Sequence, residues 1–256
     1  MVHKHKRGLT RLFFGTVPAD QIQRAYRLRV ALFSVLVVIM VAALLQFYQL
    51  SQTFYQLNLA EQERDHWQRP DDVIESLNLK DGNVVADVGS GVGYFSLKLA
   101  PKVAGHGSVL AEDILGQSLT FLWIRAFLQH QTNIRTIHGV LDNPLLPKEG
   151  VDAVLIANSY HEFARPLAML DHTFRALRPG GCLVVLDRGP RSFHGESRET
   201  QMQQNQIAAA IAEDEIRQRG FDVISRDDHF IDRPANERPG DRPDDHVWWL
   251  IVARKP

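Results

Sequence analysis

The sequence predicts a doubly wound α/β domain with a single transmembrane helix ahead of it. Three observations carry that expectation. Short apolar runs alternate with helical patterns from residue 70 onward, which calls for a mostly parallel sheet with helices on both faces. One of those runs, Val84 to Val88, feeds straight into Gly89-Ser90-Gly91-Val92-Gly93, a glycine-rich turn of the kind that follows a nucleotide-binding strand. Near the start of the chain lies VALFSVLVVIMVAALLQFYQL, residues 30–50, in which Ser34 is the one polar residue before Gln46.

The apolar segment comes first. About 21 residues at 1.5 Å each make a helix of ~31 Å, against a hydrocarbon core of roughly 30 Å. Phe47 and Tyr48 stand where an interfacial aromatic belt would lie. A cleaved signal peptide fits less well, because the leader is long and no A-x-A site follows. A buried core helix and an organelle-targeting presequence are the other readings. Residues 1–29 form a basic leader in which Lys4, Lys6, Arg7, Arg11, Arg24, Arg27 and Arg29 face Asp20 alone. That bias puts the N-terminus on the cytoplasmic side and would send the rest of the chain outward. His3 and His5 belong to this leader and are read as part of its topogenic charge, not as metal ligands. Residues 51–66 continue as a juxtamembrane helix or linker. Phe54 and Leu57 give it an apolar stripe, which packs on the domain or forms a homodimer seam.

Composition narrows the classes. The 256 residues are 45% hydrophobic and 23% charged, as in a folded globular protein, and the net charge of -1 gives no reason to expect nucleic acid. Cys182 is the only cysteine, which rules out an intrachain disulfide and a Cys-based zinc site; no metal is expected.

Within the domain, Pro70-Asp71-Asp72 opens a helix, with proline in the first turn and acids at the positive end of the dipole. It ends near Leu79. Val84 to Val88 is a continuous apolar run, the mark of a buried parallel strand. A helix follows from Tyr94 to Leu99, then strands at Ser108 to Asp113, Ile134 to His138, Ala153 to Ala157 and Cys182 to Leu186. The intervening helices run Leu115 to Gln131 and Pro166 to Leu177. Thr200 to Arg219 reads as one polar-faced helix ended by Gly220. Two strands close the chain without a helix between them, Phe221 to Arg226 and His246 to Ala253, which implies an antiparallel strand at the end of the sheet. The helix holding Leu119, Phe121, Leu122, Trp123, Ile124, Phe127 and Leu128 is greasier than one buried face requires, leaving a remainder for a partner or a bilayer.

The glycine turn is not a dinucleotide fingerprint. That pattern is G-x-G-x-x-G, and here the sixth position is Tyr94. Asp87 precedes the glycines, and a carboxylate at a strand tip repels a pyrophosphate but welcomes an ammonium group. The second strand ends at Asp113, where a ribose diol is held by one carboxylate. Glu112 points the other way on an extended strand. A ribose, an amino-acid ammonium and a nucleoside-sized slot together describe S-adenosyl-L-methionine.

Residues 67–256 resemble a class I S-adenosylmethionine-dependent methyltransferase domain of the type 11-like kind. The resemblance rests on Trp67-Gln68-Arg69-Pro70, on ADVGSGVGYF at the glycine turn, on VLAEDI at 109–114, on VDAVLIANSYHEF at 151–163 and on RALRPGGCLVVLD at 175–187. It implies a Rossmann-like sheet of seven strands with the last antiparallel. It implies that Asp87, Gly89, Ser90, Gly91 and Gly93 line the methionine end of the cofactor and that Asp113 holds the ribose. Asp142, late in the loop after the third strand, is the candidate for the adenine amine. Asn158 follows the fourth strand, where the family often carries an acid. Tyr160, His161 and Glu162 come next, facing the place of an acceptor. His161 is the candidate base and Tyr160 the second candidate catalytic residue; the family often has a histidine where Glu162 stands. Asp187 and Arg188 follow the fifth strand and either touch the acceptor or form an ion pair.

Methyl transfer is an in-line displacement from a sulfonium, so such a protein mainly positions the nucleophile and excludes water. The expected function is a membrane-anchored methyltransferase with a small-molecule or lipid acceptor. The competing readings are a non-catalytic cofactor sensor or scaffold and an NAD-dependent oxidoreductase. Topology stays in conflict: the leader charge favours an exported domain, whereas the cofactor is made in the cytosol.

Overall fold

The computed structural model describes residues 18–232 and 246–256. The leader positions 1–17, with His3 and His5, lie outside the described residues. The chain divides into two compact units, one ending at Ala60 and one running Glu61–Pro256. The second begins six positions ahead of the domain start read from the sequence.

Helix α1 covers Ala19–Gln68, and its stretch up to Ala60 is the described part of the first unit. It is long and apolar enough to cross a membrane, and its apolar window has no residue buried inside the protein. Every residue from 30 to 50 is exposed. The Ser34 hydroxyl donates to the Val30 carbonyl at 2.9 Å, so its polar group is satisfied within the helix.

In the second unit, seven strands and six further helices follow the chain in the predicted alternation. They are α2 (Pro70–Ser76), β1 (Val84–Val88), α3 (Tyr94–Leu99), β2 (Ser108–Asp113), α4 (Gly116–Leu128), β3 (Ile134–His138), β4 (Val151–Ala157), α5 (Pro166–Ala176), β5 (Leu177–Pro190), α6 (Arg198–Gln203), α7 (Ala209–Gln218), β6 (Asp222–Ile231) and β7 (His246–Arg254). The sheet order is β3-β2-β1-β4-β5-β7-β6. Strands β1 to β5 pair in parallel, and β7 lies antiparallel between β5 and β6. The chain order reverses between β1 and β4, which opens a crevice at their carboxyl ends.

Period-two alternation separates two cores. Val85, Val109, Leu155 and Val184 face α2 and α3, packing with Val73, Phe95 and Leu99. Val88, Val154, Ile156 and Val185 face α5 and α7, packing with Leu170, Ala212 and Ile216. Burial on both faces is why these strands read as unbroken apolar runs. The Trp67-Gln68-Arg69-Pro70 motif joins α1 to α2. Arg69 is left-handed (φ 54°), which turns the chain. Its guanidinium donates to the Phe230 carbonyl at 2.7 Å, while Trp67 packs on Trp248 with ring centroids 5.6 Å apart.

One expectation changes. The helix expected over Thr200 to Arg219 is two helices, α6 and α7. Asn205 is left-handed (φ 53°), the Gln201 side chain accepts from Ala208 N at 2.6 Å, and Ile207 N donates to the Arg188 carbonyl at 2.9 Å. The break lays residues 204–208 against the end of β5 and buries Ile207. In α4, Leu119, Leu122 and Ala126 are buried, and the surplus apolar residues Trp123, Phe127 and Leu128 are exposed, with Trp123 stacked on Phe127 at 6.0 Å.

Candidate active site

The site begins with the glycine turn. Gly89, Gly91 and Gly93 all have positive φ, which L side chains resist. A methyl on Gly93 would come 2.1 Å from Leu122 Cδ1, so that glycine lets α3 and α4 close together. A methyl on Gly91 would meet nothing within 4 Å, so its face opens onto free space. The turn is pinned by its own N–H groups donating to acceptors on β2: Ser90 N to the Glu112 carbonyl at 2.8 Å, Gly91 N to Asp113 Oδ2 at 2.8 Å, and Gly89 N to Glu112 Oε2 at 3.3 Å.

Three carboxyl groups gather at the tips of β1 and β2. Asp87 is buried and accepts from the Ser96 hydroxyl at 2.6 Å. Burial raises it to about 6, against the opposing pull of that hydrogen bond and of Arg64. Glu112 is buried too, and burial together with Asp113 and Asp87 raises it to about 8. Asp113 accepts from Gly91 N through one oxygen and from Leu115 N, at 2.7 Å, through the other. Each oxygen keeps a further lone pair for a hydroxyl donor.

Several buried oxygens here have no partner: Ser90 Oγ, Glu112 Oε1 and Asn158 Oδ1. Leaving such an atom unsatisfied costs about 1–3 kcal/mol, a cost that a bound ligand's donors would relieve. Asn158 sits left-handed (φ 57°) at the tip of β4, its N–H donating to the Leu186 carbonyl at 2.7 Å. Apolar side chains stand exposed at the tips of the neighbouring strands: Ile114 and Leu115 after β2, Val140 and Leu141 after β3. Polar atoms at the turn, a carboxylate at the β2 tip and apolar walls beyond it fit the amino-acid end, ribose and adenine of S-adenosylmethionine in that order.

The other end lies at β4 and β5. His161 Nδ1 lies 2.8 Å from Asp187 Oδ1, and His161 N donates to Asp187 Oδ2 at 2.9 Å. Both side chains are at most 1% exposed, and Arg188 N adds a third donor to Asp187 at 2.7 Å. The carboxylate assigns the proton to Nδ1 and leaves Nε2 as the acceptor, with Arg188 Nη2 at 3.5 Å and Glu162 Oε1 at 3.7 Å. Beyond Arg188 lies a cavity of about 230 Å³ lined by Gly189, Pro190, Phe193, Ala208, His229 and Trp249 among others.

Tyr160 does not join His161. It is fully buried, its hydroxyl donates to Glu215 Oε2 at 2.6 Å, and its ring packs edge-on against Trp249 at 6.4 Å. Burial and Glu215 push its phenol well above the usual range. Asp142 is placed outside the unsatisfied cluster, in an ion pair with Arg165 at 2.7 Å, with both side chains exposed.

Sequence reasoning missed the underside of the turn. Arg125 is buried in apolar α4 and donates to Glu61 at 2.9 Å and to the Val92 carbonyl at 2.6 Å. Asp65 accepts from the Tyr94 hydroxyl at 2.7 Å and from Lys98 at 2.9 Å. Ser159 closes on the turn from β4, its hydroxyl donating to the Val88 carbonyl at 3.0 Å. A lone arginine among the apolar residues of α4 was the one visible signal.

Comparison with known proteins agrees with this geometry. Residues 85–181 match a family model described as a methyltransferase domain. Curated relatives include a demethylmenaquinone methyltransferase of Geobacillus sp. (strain WCH70), 23% identical over 149 residues, which are 58% of this chain and 64% of the relative. Another is a ubiquinone/menaquinone biosynthesis C-methyltransferase UbiE of Coxiella burnetii, 26% identical over 119 residues, 46% of this chain and 47% of the relative. The chain thus spans between about half and two thirds of the curated relatives it matches. Among solved structures, a SAM-dependent methyltransferase from Aquifex aeolicus superposes with TM-score 0.58 at 20% identity, covering 73% of this chain and 89% of that one. A Haemonchus contortus phosphoethanolamine N-methyltransferase 2, solved with S-adenosyl-L-methionine, gives 0.60 at 16% identity over 74% and 53%. The [4+2]-cyclase SpnF gives 0.61 at 18% identity over 74% and 80%. The domain has the class I S-adenosylmethionine-dependent methyltransferase fold, with β7 as its antiparallel strand.

Proposed function

We propose that the chain is an S-adenosylmethionine-dependent methyltransferase, held at a membrane by residues 30–50 and acting on a lipophilic acceptor of the quinol class. The observation that carries the reading is the pairing of two features at one sheet edge: unsatisfied oxygens at the glycine turn, and a buried His161–Asp187 dyad on the adjoining strands. The acceptor class comes from the quinone-pathway names of the curated relatives and from the exposed apolar helix.

Bound at the turn, S-adenosylmethionine supplies an activated methyl group. The chain's own residues orient and deprotonate. Asp113 takes the ribose hydroxyls, and Gly91 lets the backbone approach the methionine end. Asp87 favours a cation there. Asp187 fixes the imidazole of His161, whose Nε2 accepts the proton that an acceptor hydroxyl or ring carbon loses. A dyad so held works as a general base because its tautomer and orientation are set before the acceptor arrives.

The full chain in detergent tests this. Calorimetric titration is expected to show binding of S-adenosylhomocysteine and none of NAD. Radiolabelled cofactor incubated with total lipid extract is expected to label an organic-soluble product. Labelling of soluble acceptors alone would remove the lipophilic class, and NAD binding without S-adenosylhomocysteine binding would remove the cofactor. A second reading is favoured by the cyclase that shares the fold: a cofactor-binding protein without methyl transfer. It predicts tight S-adenosylhomocysteine binding with no labelled product in either phase. The leader charge and a cytosolic cofactor still oppose each other; protease access to the domain in sealed vesicles decides between them.

A further inference from the structure

The last turns of α1 bring a positive charge, Arg64, against Tyr94 and Phe95 beside the glycine turn. Among the described residues, the basic side chains touching Val92, Tyr94 or Phe95 are Arg64, Lys98 and Arg125. Arg125 is engaged by Glu61 and the Val92 carbonyl, and Lys98 by Asp65. Arg64 differs. Its hydrogen bond runs from Nε to Gln68 on its own helix, and its guanidinium carbon lies over the Tyr94 ring, 3.9 Å from the centroid. Burial pulls its pKa down, against the opposing pull of Tyr94, Glu61, Asp87 and Asp65, and it in turn draws Asp87 toward its charged form.

The charges of the turn are otherwise one-sided. Asp87 and Asp113 face the turn as acids, which suits an ammonium and a sulfonium. The methionine end of the proposed cofactor is a zwitterion, however, and its carboxylate needs a cation beside the acid that takes its ammonium. A guanidinium stacked on an aromatic ring is oriented for planar, two-point recognition of a carboxylate. We propose that Arg64, delivered by the last turns of α1, binds the carboxylate of the cofactor's amino-acid end, opposite Asp87. The inference rests on the cofactor reading above. It makes the sixth-position Tyr94 a platform for the arginine, held in place by Asp65.

The test compares two ligands on the full chain in detergent: S-adenosylhomocysteine and its decarboxylated analogue 5′-deoxy-5′-(3-aminopropylthio)adenosine, which keeps the ammonium and lacks the carboxylate. The wild type is expected to prefer the first. Arg64→Ala is expected to weaken S-adenosylhomocysteine at least tenfold, in the range of a lost charge-assisted contact, and to leave the analogue within about twofold. Arg64→Lys, which keeps the charge but not the fork, is expected to fall between. Equal loss for both ligands, or no loss for either, overturns the assignment. Circular dichroism of each variant guards against unfolding, and if Arg64→Ala does not fold, the ratio is read from Arg64→Lys. Wild-type protein that binds neither ligand defeats the cofactor reading itself, an outcome distinct from an unchanged ratio in the variant.

Discussion

The two ends of the site bury their carboxylates in opposite ways. At β5, Asp187 is fully buried yet faces three donors: His161 Nδ1, His161 N and Arg188 N. At β1 and β2, Asp87 and Glu112 are buried beside Asp113, and burial pushes both upward, Asp87 to about 6 and Glu112 to about 8. Glu112 also keeps an oxygen without a partner. A charge that is fully met by its own protein is finished machinery. An acid that keeps an unmet oxygen, as Glu112 does, is waiting for a partner. Under the proposed function, the β4–β5 end acts on an acceptor and the β1–β2 end holds the cofactor.

Breaking the finished end should have the larger effect. Asp187→Asn keeps the shape but offers the imidazole a different partner, so Nδ1–H loses its fixed acceptor. With His161 as base, methyl transfer at saturating substrates is expected to fall roughly 10³-fold or more, by analogy with the same change in hydrolytic triads. S-adenosylhomocysteine affinity should stay within about twofold. A small fall in rate with intact binding would return His161 to a structural role, and a collapsed melting curve would show that Asp187 mainly holds the fold.

The waiting end should show itself through pH. Glu112 is held above its ordinary value in the folded protein, so between about 4.5 and 8 the folded state binds more protons than the unfolded one. Stability from this group is therefore present below about pH 4.5 and is lost as pH rises toward 8. Glu112→Gln removes the titration. Its melting temperature relative to wild type is expected to climb between pH 5 and 8.5, by a few degrees. A parallel pair of curves would mean that Glu112 is ionised at both pH values, and the contrast between the two ends would lose its electrostatic basis.

Much of this was legible in the sequence, for identifiable reasons. Strands buried on both faces read as apolar runs, so β1 and β2 appear with the bounds the sequence implies. The glycine turn was legible because positive φ leaves few residues to choose from. The break between α6 and α7 was not, because Gln204-Asn205-Gln206 contains neither glycine nor proline and the chain turns on a left-handed asparagine. Tyr160 and His161 were indistinguishable as neighbours, although a single turn sends one into the core and the other onto Asp187. Arg64 and Glu61 act on residues about 30 and 60 positions away, a relation no local pattern carries.

The smallest expected effect concerns the acid that the family pattern would have read as the adenine partner. Asp142 differs from the acids of the waiting end in each physical respect: it is exposed, it faces a cation, and that cation is Arg165 rather than a ligand. An exposed pair of this kind contributes about 0–1 kcal/mol, and breaking it relieves no buried charge. Asp142→Ala is therefore expected to change S-adenosylhomocysteine affinity by less than about twofold. The adenine would then rest on the apolar side chains of Ile114, Leu115, Val140 and Leu141, which bind a flat ring without reading its amine. S-inosylhomocysteine, which replaces that amine with an oxygen, should accordingly bind within a few-fold of S-adenosylhomocysteine in wild type and variant alike. A tenfold loss confined to S-adenosylhomocysteine in Asp142→Ala would mean that the Arg165 pair opens on binding and that the waiting end extends to the tip of β3.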